Sequence, residues 1–226
     1  MLFTELRSRI AEVRDRIAQA AARGGQKQDV TLIAVTKTFG PAAVVAAWDA
    51  GVTDIGENKV QEARAKQLAV DVPVRWHLIG HLQRNKVKAL EHFDLFHALD
   101  SSRLADAVSV WALAHGRRVR ALVQVNVSGE DTKGGFALEE VREAADRLRA
   151  LNGLEIAGTM TMAPYDAREP VLRRCFAGAR AAAELLRAAG HPASELSMGM
   201  SDDYEVAVEE GATLVRIGTS LFGARD

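Results

Sequence analysis

Apolar residues recur along this chain in two alternating rhythms. Within residues 3–23, Leu6, Ile10, Val13 and Ile17 fall at spacings of four, three and four, with Arg and Glu between them. That spacing puts them on one stripe of an amphipathic helix, which Gly24-Gly25 closes. The next stretch, 30–38, reads Val-Thr-Leu-Ile-Ala-Val-Thr-Lys-Thr: seven residues without a charge, then Lys37. A run of that composition predicts a strand buried on both faces, as parallel strands are. Gly40-Pro41 ends it and opens a helix over 41–50, with proline at its first turn.

The same exchange of rhythms continues to the end. Further strands are predicted at 53–56, 74–79, 94–99, 119–127, 154–162, 195–198 and 213–217. Helices fall between them at 58–69, 85–91, 100–115, 138–151, 168–189 and 202–210, with Asp100-Ser101-Ser102 as capping residues. Eight strands alternating with helices imply a parallel sheet, because every parallel crossover needs a helix. Closure into a single TIM-type (β/α)8 barrel over 1–226 is the favoured architecture, with residues 1–25 as an additional helix packed on it. A doubly wound open sheet is the alternative, but no Gly-x-Gly-x-x-Gly follows the first strand. No full helix is expected after the eighth strand, so the first helix closes the ring.

Composition narrows the function classes. The 226 residues are 48% hydrophobic and 26% charged, with net charge −1. That balance offers no footprint for nucleic acid or for a membrane surface. Cys175 is the single cysteine, which excludes an internal disulfide and a cysteine-based zinc site. With no signal-like or membrane-spanning run, we expect a cytoplasmic protein.

In a barrel, the reactive groups sit at the C-terminal ends of the strands, and phosphate commonly binds the loops after strands seven and eight. Lys37 stands at such an end, where desolvation would favour a neutral, nucleophilic amine; the alternative is a lysine that reaches out to water. The last two loops read Met198-Gly199-Met200-Ser201-Asp202 and Arg216-Ile217-Gly218-Thr219-Ser220. Their glycines admit close backbone approach, and their hydroxyls and N–H groups suit an anion, or are ordinary caps. Arg216, inside the last strand, needs an acceptor: either a carboxylate such as Glu57, or a ring nitrogen that its fixed charge would keep unprotonated. Glu57, Asp202 and Asp203 fall near the expected mouth without the spacing of a catalytic pair. His77 and His81 are four apart but straddle a strand end, so zinc is rejected. The 83–88 basic cluster and the glycine-rich Lys133 loop carry no recognisable chemistry.

Six stretches together resemble the pyridoxal phosphate (PLP) homeostasis protein family, whose fold is that of the alanine racemase N-terminal barrel, PLP fold type III. They are Ala34–Thr38, Gly56–Glu62, Trp76–Lys86, Gly158–Pro164, Leu196–Ser201 and Val215–Thr219. The chain departs from the family pattern at Lys59 and Leu78. The resemblance implies that PLP is held as a Schiff base on Lys37. It also implies that Ser201, Gly218 and Thr219 hold the phosphate, that Arg216 faces the pyridine nitrogen, and that Asn58 and His77 are ring neighbours. A monomer that binds PLP and supplies it to apo PLP-dependent enzymes is expected, without turnover of its own. An amino-acid racemase is the alternative, although neither Tyr165 nor Tyr204 lies in a motif matching the racemase tyrosine. A barrel binding another phosphorylated metabolite is a third possibility.

Overall fold

Side chains on a strand alternate between two faces, and in β1 (Thr31–Val35) every residue after Thr31 is buried, so both faces are covered. The computed structural model describes residues 4–129 and 134–223; Lys133 lies outside them. β1 is followed by β2 (Asp54–Glu57), β3 (Arg75–Leu78), β4 (Leu95–Leu99), β5 (Val119–Gln124), β6 (Leu154–Met160), β7 (Glu195–Ser197) and β8 (Leu214–Ile217). Each pairs with the next in parallel, and β8 returns to β1 with Ile33 opposite Arg216, so the sheet closes into a barrel. The protein is a (β/α)8 barrel of the TIM type.

Helices α2 (Pro41–Asp49), α3 (Val60–Ala69), α4 (Ser102–Ala114), α5 (Leu138–Arg149), α6 (Glu169–Ala188) and α7 (Tyr204–Glu209) link the strands. Ser101 caps α4, its hydroxyl accepting the Leu104 N–H. α1 (Leu6–Arg23) buries Leu6, Ile10, Val13 and Ile17. It packs against α7, α2 and α8 (Thr219–Phe222), the four-residue helix that follows β8. α8 is a short helical turn opening after Gly218, and it is too short to cover the outer faces of β8 and β1 alone. α1 supplies the apolar stripe there.

The ends of several strands differ from the sequence expectation. β1 stops at Val35, and Lys37 lies in a turn followed by Thr38 at φ 71°. β5 stops at Gln124 and β6 at Met160. Burial continues past these points, and Thr36, Val125 and Thr161 each still donate one backbone hydrogen bond to the next strand before the regular ladder ends. Arg84–His92 forms a 3₁₀ segment rather than an α-helix, with Leu90 its one fully buried side chain. Among the described residues, no helix is long and apolar enough to cross a membrane.

Candidate functional site at the barrel mouth

Parity places the site. A Cβ added to Gly56 would meet the side chains of Ile33, Val35 and Ile79, so these positions face the barrel interior. Continuing each strand by twos brings Lys37, Asn58 and Gly218 to the mouth. A cavity of about 720 Å³ opens there. Lys37, Asn58, Ser201, Arg216, Gly218 and Thr219 all line it, with Val35 and Ile79 as apolar wall. Tyr165 stands at its rim, 92% exposed, while Tyr204 is buried in α7.

Each of these residues is held by its own element. Lys37 is half-buried. Gly80 lets the β3 loop approach Asn58 closely: a Cβ there would fall 2.3 Å from the Asn58 carbonyl oxygen. Gly199 adopts φ 91°, and a side chain would collide with Tyr204 and Ala207; its carbonyl accepts the Arg216 N–H at 3.0 Å, tying the ends of β7 and β8 together. The next loop is tied to it as well, since Ser201 Oγ accepts the Ser220 N–H at 3.3 Å. The anion-type donors of both loops are thus brought to one wall. Asp203 accepts the Met200 N–H at 2.6 Å, and burial raises its pKa against the pull of that bond and of Arg216.

Arg216 does not pair with Glu57. Its Nη1 donates to Ser197 O at 2.7 Å and Ser197 Oγ at 2.5 Å, and its Nη2 donates to Thr161 O at 2.9 Å. Burial pulls its pKa down to about 10, partly offset by Asp203, so it stays cationic near neutral pH. Glu57 faces outward, away from the mouth, beneath α3. Lys66 Nζ donates to Glu57 Oε1 at 2.6 Å, to Glu62 Oε1 at 2.9 Å and to Thr36 O at 2.7 Å. The Thr36 hydroxyl also donates to Glu57 Oε1, and Glu62 Oε1 accepts the Thr38 N–H. This cluster clamps residues 36 and 38, on either side of Lys37. Burial raises the Glu57 pKa, opposed by the hydrogen bonds from Lys66 and Thr36.

His77 is the sequence candidate that the cavity does not include. It faces inward but one layer below Ile79, where Nε2 meets Asp54 Oδ1 and Nδ1 meets His97 Nε2, both at 2.9 Å. The structure therefore places it beneath the floor, not beside a ring in the cavity. His81 lies at the rim instead, its Nδ1 2.6 Å from Asp100 Oδ2. Lys66, His97, Ser197 and Asp54 were missed by the sequence reading. A signal existed for three of them, since Asp54, His97 and Ser197 are polar residues at inward positions of otherwise apolar strands.

The site is thus the mouth of a closed parallel barrel ringed by a lysine, a buried arginine and two hydroxyl-bearing loops. The pattern of the family described as alanine racemase, N-terminal domain, matches residues 9–226. The chain belongs to that family, and within it to the pyridoxal phosphate homeostasis proteins. It is 43% identical to the pyridoxal phosphate homeostasis protein of Pseudomonas aeruginosa, covering 96% of this chain and 94% of that one. Identity to the Aquifex aeolicus protein of the same name is 40%, over 96% and 97%. The structure of PipY from Synechococcus elongatus with PLP bound superposes with a TM-score of 0.85, at 38% identity over 96% of this chain and all of that one.

Proposed function

We propose that this protein binds pyridoxal 5'-phosphate at the barrel mouth, as a Schiff base on Lys37, and holds it for supply to apo PLP-dependent enzymes. The observation that carries the reading is the convergence of Lys37, in the turn after β1, and Arg216, in the adjoining β8, with Ser201, Gly218 and Thr219 on one cavity. The donor set fits the cofactor. An amine suits its aldehyde, and hydroxyl and glycine-loop N–H groups suit its phosphate. A fixed guanidinium suits the pyridine nitrogen, and Asn58 is a ring neighbour. Bound PLP would supply an electrophilic aldehyde and a conjugated ring. Arg216 would keep that ring unprotonated and a weak electron sink, which favours holding over turnover. The PLP-bound PipY structure and the names of the relatives support the same reading. The role is cytoplasmic and the working form a monomer.

The test is borohydride reduction of the PLP-loaded protein followed by peptide mapping. The label is expected on the peptide containing Lys37; a label mainly on Lys59 or Lys133 would overturn the assignment. Lys37→Ala should lose the visible absorption band while staying folded, because a half-buried turn residue contributes little to the core.

A further inference from the structure

Five side chains run in hydrogen-bond contact through the barrel interior. Asp54 Oδ1 meets His77 Nε2 at 2.9 Å, and His77 Nδ1 meets His97 Nε2 at 2.9 Å. His97 Nδ1 meets Ser197 Oγ at 2.8 Å, and Ser197 Oγ meets Arg216 Nη1 at 2.5 Å. All five are buried, and none of their polar atoms is among the buried atoms that lack a partner. The two ends open on opposite faces. Arg216 lines the mouth cavity, whereas Asp54 lines a separate pocket at the other end, with Arg75 and Arg14.

The chemistry of the ends gives the chain one direction. Arg216 can only donate, so its Nη1 gives a hydrogen to Ser197 Oγ. The Ser197 hydroxyl hydrogen then has one acceptor among the described residues, His97 Nδ1. His97, fully buried and held neutral by burial, with His77 and Arg216 adding to the effect, therefore carries its proton on Nε2 and donates to His77 Nδ1. His77 in turn donates from Nε2 to Asp54. That carboxylate also accepts from Arg75 Nε at 2.9 Å, Arg75 Nη2 at 2.7 Å and Thr53 Oγ1 at 2.7 Å. Every link has one donor and one acceptor. A hydrogen on His77 Nδ1 would reverse the His77–His97 and His97–Ser197 links and leave the Ser197 hydrogen with no acceptor in a dry interior.

We propose that Asp54, His77, His97 and Ser197 are positioning residues for Arg216: a one-way hydrogen-bond chain through the barrel holds the guanidinium in the pose that meets the ring of the bound cofactor. Ser197 is the contact that acts on Arg216, and Asp54 is the distant acceptor on which the chain ends. The link to the cofactor rests on the reading of Arg216 given above. The chain itself is a property of the protein without ligand.

Long-range proton–nitrogen NMR of the histidine rings in the ligand-free protein tests it directly. His77 and His97 should both carry their proton on Nε2 with Nδ1 bare. A proton on His97 Nδ1 would overturn the proposal without any variant. Ser197→Ala should weaken PLP by about tenfold, the scale of one charge-assisted hydrogen bond, and shift the absorption of the bound cofactor. Asp54→Ala should leave His97 protonated on Nε2, which the Arg216 end fixes, but shift the His77 Nε2 resonances, because that N–H loses its acceptor. A folded Asp54→Ala with unchanged His77 Nε2 resonances, or a Ser197→Ala with unchanged PLP affinity and spectrum, would sink it. Failure of the unsubstituted protein to bind PLP would instead sink the function reading. The tautomers would still decide the chain.

Discussion

Two buried polar clusters flank the mouth, and they solve the same problem in opposite ways. Outside the barrel, Lys66 and Glu57 are 3% and 0% exposed and bring full opposite charges to 2.6 Å. Inside it, neutral groups separate Arg216 from Asp54. The outer cluster is electrostatically strong but incompletely paired, since Glu57 Oε2 is buried without a partner. None of the inner chain's polar atoms is buried without a partner. Both also bind backbone, the outer cluster through the Thr36 carbonyl and the Thr38 N–H, the inner one through the Ser197 and Thr161 carbonyls that Arg216 meets. The unmatched Glu57 oxygen lowers what the buried pair contributes, because desolvating a carboxylate costs free energy that only further hydrogen bonds repay. A neutral chain specifies one orientation only if it is complete.

The largest break in this comparison is expected at Lys66. Lys66→Met strands the Glu57 carboxylate in the interior and should cost about 3–5 kcal/mol in urea unfolding, as broken buried pairs do. Adding Glu57→Gln should return much of it, because the stranded charge is then gone. A loss below about 1 kcal/mol in Lys66→Met would show that the pair does not hold the Lys37 turn.

The two carboxylates should also answer to pH with opposite sign. Burial pushes the Asp54 pKa up, but hydrogen bonds from His77, Arg75 and Thr53 outweigh it and bring it from 3.8 to about 2. Its stabilisation is therefore present above 3.8 and lost as pH falls through about 2. Glu57 is raised from 4.5, so its contribution is fully present below 4.5 and lost as pH rises through the folded value. Between about pH 6 and pH 2, the stability difference between the parent protein and Asp54→Ala should shrink by about 2 kcal/mol. The difference for Glu57→Gln should move the other way. Urea midpoints across that range check both, and a common sign would erase the contrast.

The smallest effect is expected at the mouth itself. Ser201→Ala removes one hydroxyl from the phosphate side and should weaken PLP by about 1.5 kcal/mol, near tenfold in Kd, with stability unchanged. Titration of the visible absorption band reads it, and an unaltered Kd would take Ser201 out of the phosphate site.

Much of this molecule was legible in the chain. Alternating periodicity is a local property of consecutive residues, so eight strands and their helices could be read directly, and with them the barrel. The end of a strand is equally local, which is why Lys37 could be assigned to the mouth, with Ser201, Gly218 and Thr219 in the last two loops and Arg216 inside the last strand. The strand ends at Val35, Gln124 and Met160 were not legible, because burial continues where the ladder stops. His77 shows the deeper limit. Its inward direction follows from the sequence, but its depth depends on the stagger of eight strands around a closed ring, which no local pattern carries. Lys66 reads as one more charge on an amphipathic helix, and only the packing of α3 on β2 turns it into the clamp of the Lys37 turn. His97 and Ser197 are 100 residues apart. Their contact, and the direction it gives to Arg216, arises only when the sheet closes, because hydrogen bonds between distant strands depend on position in space and not on order along the chain.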